Sequence, residues 1–571
     1  MTTPARDVQI YSIAAGTTVL RCRSWNRLRF EIEYALERGT TANSYLIQGD
    51  RTALIDPPGE SFNQMFLTAL ERHVNLYQID FIVLGHINPN RAETLKLLLQ
   101  QLPDVTVVCS NPAALALKDL LPEASPRVWV IRSGDDALDL GQGHCLQFVP
   151  IPTPRYPGGM ATFDPYSKIL YTDKFFGAHR CGENVFDLGW SDLLEDRRYY
   201  FDCLFASSIR QVTAALDRLE EAFPFSVMAP GHGPVVQYSA KELFHSYQQW
   251  SQAQTSQDLS VALIYASAYG NTATLAQALA RGITKSGVAV EAINAEQTDP
   301  ADIKAAVEKS AGFLMGSPTL GGHMPTPMQT ALGIVLASAS KTQLAGVFGS
   351  FGWSGEAIDM LESKLKDGGY SLGFEPIRVK FKPTDVTLKV CEEVGTDFAQ
   401  ALKKAKRTKQ PRTPASSVEQ AVGRLVGSLC IVTARQGEVS SAMLASWVSQ
   451  ASFTPPGFTV AVAKDRAIET LMYPGNAFVL NILAEGKHLG PMKHFLKPFA
   501  PGEDRFAGVD TDAAENGAPI LKDAIAYLEC TVAERMECGD HWLVYATVQT
   551  GRVLDGEAKT AVHYRQTGTH Y

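Results

Sequence analysis

Four stretches of this chain carry residue types at spacings that suit chemistry. The first, GHINPNRAET, runs from Gly85 to Thr94 and follows the apolar DFIVLGH. His86 stands where a buried strand should end, and the spacing is that of a metal loop, His-x-acid-x-acid-His. Asn88 and Asn90 hold the acid positions, however, and Arg91 holds that of the second His. Asn is a weak neutral ligand, and a guanidinium has no lone pair to give. The second stretch, SAYGNT (Ser267, Ala268, Tyr269, Gly270, Asn271, Thr272), separates the strand-like VALIYA from the helical TATLAQAL. Such a turn aims backbone N–H groups, hydroxyls and the positive end of a helix at a phosphate. No Lys follows as a P-loop would require, so a nucleoside triphosphate is excluded and a phosphate held by neutral donors is expected.

The third feature is a pair of loops, GSPTLGGHMPTP (316–327) and GSFGWSGEA (349–357), each after a further buried strand. Ligands of open α/β sheets bind at such strand ends. Pro318, Thr319, Leu320, Gly321 and Gly322 can meet the edge of a heterocycle. Ser350, Phe351, Gly352, Trp353 and Gly355 form the neighbouring wall, with Trp353 or Tyr269 available to stack on the ring face. Any one of these loops alone is more often a plain glycine turn; three in this order argue for a ligand site. The fourth stretch, SAMLASWVSQASFTPP (441–456), alternates hydroxyl and apolar residues. Ser446, Gln450 and Ser452 then share one strand face, and Ser449 alternates onto the other unless a bulge redirects it.

The elements that must position these residues fall into three segments. The chain has 571 residues, enough for several domains. Its net charge of −8 argues against a nucleic-acid or anionic-membrane partner. No apolar run approaches a membrane span, no secretory signal is visible in MTTPARDVQI, and the nine cysteines are scattered. These features predict reduced thiols in a cytoplasmic protein without an integral membrane segment. Seams are expected at the polar YQQWSQAQTSQDLS (247–260) and at the basic KKAKRTKQPRTPASS, whose residues 403–416 read as a linker. The expected domains are therefore 1–256, 260–402 and 417–571. The middle one alternates strands and helices, which predicts a doubly wound parallel α/β sheet. The first suits a β-sandwich with covering helices, and the third, with short strands and Gly/Pro breaks, a small barrel.

The three ligand loops of the middle segment resemble those of flavodoxins, and GSPT…P followed by FGSFGWSGEA resembles the flavodoxin module of flavodiiron proteins. That resemblance implies FMN, with Ser267 to Thr272 on its phosphate and the other two loops around the isoalloxazine. The first segment resembles the metallo-β-lactamase-like αββα domain of the same family. GTTANSYLI (39–47), ALIDPPG (53–59), the His86 loop, PIPTPRYPGGM (150–160), LYTDKFFGAH (170–179) and APGHGP (229–234) occur in the family's order. The third segment resembles the split β-barrel of flavin reductases. This implies FMN or FAD near Ser446, Ser449, Gln450 and Ser452, with NAD(P)H as hydride donor. His541, His563 and Tyr571 are weaker candidates for that pocket.

Carried over by resemblance, the diiron ligand positions fall on His86, Asn88, Asn90, Arg91, Arg155, Lys174 and His232, with Asp173 an alternative to Lys174. Only the two histidines remain metal ligands in kind, so a diiron centre is not expected. The cations either pair with nearby acids or hold an anion, and His86 and His232 are expected as packed, hydrogen-bonded histidines. The modules resemble the three-domain flavodiiron proteins of oxygenic phototrophs, which implies electron flow from NAD(P)H through two flavins to oxygen, giving water. The expected role is the electron-donating subunit of a hetero-oligomer whose homologous partner keeps its iron ligands. The alternatives are a homo-oligomer, a non-catalytic stabilising or regulatory subunit, and a stand-alone NAD(P)H:flavin reductase with a vestigial first domain.

Overall fold

A computed structural model describes residues 6–25, 38–124, 126–132, 136–409, 416–565 and 567. Tyr571 and the start of MTTPARDVQI lie outside the described residues. Two sheets form the first unit. A seven-stranded sheet runs in chain order from Arg6–Ala14 to Arg127–Ile131, and a five-stranded sheet places Val227–Pro230 and Ile169–Asp173 at one edge. Tyr45, Ile47 and Val83 of one sheet meet Leu146, Phe148 and Tyr171 of the other in a shared core. Alternation explains the remaining layers. Leu20, Leu46 and Ile82 face outward onto helices bearing Phe66 and Leu95, and Phe163 and Leu170 face outward onto Phe201 and Tyr247. The result is an αββα sandwich.

The second unit is a parallel sheet ordered Ala289–Asn294, Ser260–Tyr265, Gly312–Pro318, Leu344–Phe351, with Ser371–Leu372 and Ile377–Lys380 beyond. The chain-order pattern 2-1-3-4-5 is that of the flavodoxin fold, with a switch point between the first and third strands. In the third unit seven antiparallel strands run spatially from Val439–Ala445 to Val448–Phe453. These two edge strands are joined by only Ser446 and Trp447, so the sheet must curl until its edges nearly meet without pairing. That geometry is a split barrel, around Val432, Phe458, Phe478 and Val544.

Two expectations about the seams need correction. The Ala240–Thr255 helix runs through most of 247–260, because Leu243, Phe244, Tyr247 and Trp250 recur at helical spacing and pack inward, leaving Gln and Ser on the wet face. The Asp385–Lys409 helix likewise continues into the basic stretch that reads as linker from residue 403. Lys, Ala and Arg are good helix formers, and exposure alone does not break a helix. Residues 410–415 lie outside the described residues.

Candidate functional site

The His86 loop sits at the carboxyl end of the Ile79–Val83 strand, at the mouth of the sandwich. Asn88 caps the Pro89–Gln101 helix: its Oδ1 accepts from Arg91 N at 2.9 Å. This fixes the amide so that Nδ2 faces His86 Nε2 at 3.3 Å. Arg91, in the first turn of that helix, is buried. Its Nη1 lies 2.7 Å from Asp56 Oδ1 and its Nη2 3.0 Å from Asp173 Oδ1. His86 Nδ1 bonds to the other oxygen of Asp173. Gly85 permits this closeness, since a Cβ there would stand 2.6 Å from Asp173 Cβ. Asp56 and Asp173 hold positive φ values of 53° and 47°, a conformation Asp tolerates better than most residues.

Lys174 points the other way along the pocket, with Nζ 3.0 Å from His232 Nε2, while His232 Nδ1 lies 2.7 Å from Thr41 O. The carbonyl can only accept, so His232 carries its proton on Nδ1 and its Nε2 lone pair receives the Lys174 ammonium. His86 Nδ1 faces both the Asp173 carboxylate and Arg91 Nη1, the latter at 3.0 Å; the donor Asn88 Nδ2 takes the Nε2 lone pair, which puts the proton on Nδ1 toward the carboxylate. The Tyr156 ring closes the pocket, edge-on to His86 at 5.0 Å and 5.6 Å from Lys174 Nζ. Arg155 is half-buried and donates Nε to Tyr156 OH at 3.2 Å, with its guanidinium over that ring. Asn90 lies over Gly59 instead.

Burial drives the titration of these groups. His86 is pushed down to about 4, first by burial and then by Arg91 and Lys174, with Asp173 opposing. Asp56 is pushed up to about 7 because burial and the neighbouring Asp173 outweigh Arg91. Burial alone would raise Asp173 as well. Arg91 and His86, with the His86 hydrogen bond, instead hold it far below the usual carboxylate range. His86 is thus neutral and Asp173 ionised at neutral pH.

A pair of hard irons needs anionic carboxylates and free imidazole lone pairs. Here both Nε2 lone pairs receive N–H donors, the one well-placed carboxylate is tied to Arg91 and His86, and two cations lie inside the pocket. The residues present do not fit a diiron centre. Of the expected cations, Arg91 pairs with nearby acids, whereas the Lys174 ammonium meets the His232 imidazole. Sequence reasoning missed Asp56 and left Asp173 as the second choice. The signal for Asp56 was an Asp ending the strand ALIDPPG, whose φ puts its carboxylate back over Gly85 N at 2.8 Å.

At the second unit, all three expected loops gather at the carboxyl edge of the parallel sheet. Thr272 and Ser350 bring two of them together by a 2.8 Å hydroxyl contact, and Thr319 N donates to Ser350 O at 3.1 Å. Ser267 Oγ accepts from Ala273 N, which orients the first turn of the Asn271–Lys285 helix toward the loop. Gly270, Gly321 and Gly322 have positive φ, and a Cβ on any of them would meet nothing within 4 Å. The glycines therefore front open space bordered by Tyr269 and Trp353, which are 80% and 91% exposed. A flat ring with a phosphate tail fits this cradle.

In the third unit the expected hydroxyls separate. Ser446 is buried, Ser449 and Gln450 are exposed, and Ser452 bonds to Tyr545 OH at 2.9 Å. The register shifts between Gln450 and Ser452, so a bulge does interrupt the alternation. Ser446 Oγ, His541 Nε2 and His563 Nδ1 are buried without hydrogen-bond partners. They share one edge: His541 packs on Trp447 at 4.9 Å, and His563 pairs with Gly427, which abuts Ser446 O. Orphaned buried donors and acceptors at one edge mark a place for a polar ligand.

Comparison with known proteins agrees with this division. The flavin reductase like domain matches residues 422–570, the ODP family beta lactamase matches 40–233, and flavodoxin matches 263–395. Putative diflavin flavoprotein A 6 of Nostoc sp. is 66% identical over 569 residues, covering all of both chains. The chain belongs to the diflavin flavoprotein A family. Putative diflavin flavoprotein A 3 of Synechocystis sp. is 63% identical, covering all of this chain and 96% of its own. Among solved structures, the metal-soaked Flv1 flavodiiron core of Synechocystis is 64% identical with a TM-score of 0.69, covering 70% of this chain and 100% of that one. This diflavin flavoprotein is thus an oxidoreductase of the flavodiiron type with a C-terminal reductase module, and it works through flavins in electron transfer. No helix among its described residues is long and apolar enough to cross a membrane.

Proposed function

We propose that this diflavin flavoprotein takes hydride from NAD(P)H at the C-terminal flavin, FMN or FAD, and passes electrons through FMN at Ser267–Thr272, Pro318–Gly322 and Ser350–Gly355. The electrons serve the reduction of oxygen to water in a hetero-oligomer whose homologous partner keeps the iron ligands. The protein's own share is electron donation. The observation that carries this reading is the His86–Asp173–Arg91–Asp56 chain beside Lys174–His232, which fills the pocket with mutual hydrogen bonds and cations. The positions Asn88, Asn90, Arg91, Arg155 and Lys174 are read as replaced iron ligands.

The flavins, when bound, convert a two-electron hydride donor into single-electron steps. The chain's own residues hold and orient them. Ser267, Thr272 and the first turn of the Asn271–Lys285 helix supply neutral donors for the phosphate, and Thr319 to Gly322 present backbone to the ring edge. Tyr269 and Trp353 exclude water from the ring faces. Ser446, His541 and His563 supply polar contacts in the barrel, with Ser449, Gln450 and Ser452 on its rim.

Rapid mixing with NADH or NADPH under argon tests the reading, alone and with a homologue that has intact ligands. Bleaching of bound flavin by either nucleotide, and oxygen uptake only in the mixture, is the expected result. Flavin that no pyridine nucleotide reduces, alone or mixed, would instead leave a stabilising or regulatory subunit.

A further inference from the structure

Outside the sites above, the densest set of buried charges lies where the three domains meet. Glu469 of the reductase domain is 3% exposed and faces Arg535 Nη1 at 3.1 Å, Lys285 Nζ at 3.5 Å and Arg281 Nη2 at 4.0 Å. Lys285 and Arg281 belong to the flavodoxin domain, where Glu392 also receives them at 2.6 and 3.5 Å. Arg535 in turn pairs with Glu195 of the first domain. Arg281 donates to Tyr473 OH at 2.5 Å, Arg535 covers the Tyr473 ring at 3.7 Å, and Lys389 donates to Thr470 O at 3.2 Å.

The position of this cluster decides its consequence. The Asn271–Lys285 helix starts at the phosphate loop, and Arg281 and Lys285 lie about 15 and 21 Å further along it. Gln400 Nε2 donates to Asp465 O at 2.9 Å. Its neighbours Phe398 and Leu402 pack on Gly312, where a central strand begins, and so lie at the edge of the sheet opposite the FMN loops. Asp465 follows Ala463, which pairs with His541, the residue packed on Trp447 beside Ser446. The reductase groove therefore opens at one end of the flavodoxin sheet and the FMN cradle at the other. A full strand length, roughly 20 Å for six residues, separates them.

We propose that the Glu469-centred cluster latches the reductase domain in a resting position, and that the latch must open for its flavin to deliver electrons to the FMN of the same chain. The proposal rests on the reading that both flavins carry electrons. A cluster of ion pairs suits a latch. Desolvation offsets much of their mutual attraction while the interface is closed, and water repays each charge when it opens. An interface between domains of one chain is also the expected place for relative motion.

A reversible cross-link tests this on the full holoprotein. A Cβ at Gly502 would sit 3.1 Å from Val390 Cγ2, so Val390→Cys with Gly502→Cys comes within disulfide reach across the interface, with exposed Cys538→Ser in the same background. The comparison is between oxidised and reduced forms of one protein. Ferricyanide reduction by NAD(P)H reads the reductase flavin alone, and flavin bleaching under argon reads transfer onward. The expected result is unchanged ferricyanide reduction, with bleaching of the second flavin slowed by an order of magnitude or more in the oxidised form and restored on reduction. Equal bleaching in both forms would overturn the latch.

Loss of ferricyanide reduction in both forms would instead sink the reductase reading. Glu469→Gln keeps the shape and weakens the cluster, so it should bleach the second flavin faster than wild type and enlarge the radius of gyration in solution scattering. A radius equal to that of the cross-linked form would also overturn the latch.

Discussion

Replacing Arg91 by Met removes the cation between Asp56 and Asp173 while keeping most of its volume. Both carboxylates are nearly inaccessible, at 3% each, and each has a direct contact to the guanidinium. Breaking a buried pair from one side costs about 3–5 kcal/mol, because the remaining charge stays desolvated. At roughly 2–4 °C per kcal/mol for a domain of this size, the first transition should fall by about 10 °C. The sign of the pH effect follows from the same contacts. Without Arg91 the folded pKa of Asp56 rises further above the unfolded value and that of Asp173 climbs from far below it, so the lost stability should grow as pH rises from about 5 to 8. Asp173→Asn in the Arg91→Met background should recover part of the loss. Calorimetry across pH reads all three proteins, and NAD(P)H-driven flavin bleaching should be unchanged in each, since neither flavin site touches this pocket. A loss below about 1 kcal/mol with no pH slope would refute the reasoning: it would mean that water already solvates the acids.

In the unmodified pocket His86 and Asp56 titrate in opposite senses. His86, lowered from 6.5 to about 4, withdraws stability as pH falls through that window, on the order of 3 kcal/mol. Asp56, raised to about 7, withdraws it as pH rises toward and through that value. Asp56→Asn should therefore remove the decline that Asp56 imposes between about pH 4 and 7 and leave the acid slope of His86 bare, as chemical denaturation at fixed pH values will test. Gly322→Val places a β-branched side chain at φ 80° in the open cradle. It should cost about 1–2 kcal/mol of strain and weaken FMN binding about tenfold or more, read by flavin titration of the apoprotein. Ser446→Ala should lower flavin occupancy of the C-terminal domain several-fold, about 1 kcal/mol for one hydrogen bond, without shifting the barrel's own melting.

Much of this architecture is legible in the chain because its signals are local. The phosphate loop needs only a strand, a small polar turn and a helix in succession, and SAYGNT supplies that turn between VALIYA and TATLAQAL. The His86 loop likewise declares its unusual residues within one heptad. What escaped depends on distance in sequence. Asp56 acts on Arg91, 35 residues away, and only its left-handed backbone turns it into the pocket. Tyr156 stands beside the singled-out Arg155, but an aromatic in a Pro-rich loop gives no sign that it will roof His86 and Lys174. The Ala240–Thr255 helix was hidden by its Gln-rich wet face, although Phe244 and Tyr247 kept the helical spacing. The interdomain charges were invisible for the same reason as Asp56. Glu469 and Lys285, 184 residues apart, are ordinary in their own segments and become partners only when their domains are packed together.

The central claim is that this diflavin flavoprotein carries electrons on flavins and has exchanged its iron ligands for an internal network of charges and hydrogen bonds. Elemental analysis of the chain purified from iron-supplemented cells, with an absorption spectrum of the same sample, tests it most directly. The account predicts bound flavin with negligible iron, and iron uptake only after Asn88→Glu, Asn90→Asp, Arg91→His, Arg155→His and Lys174→Asp are made together. A stoichiometric pair of irons on the unmodified chain would contradict it.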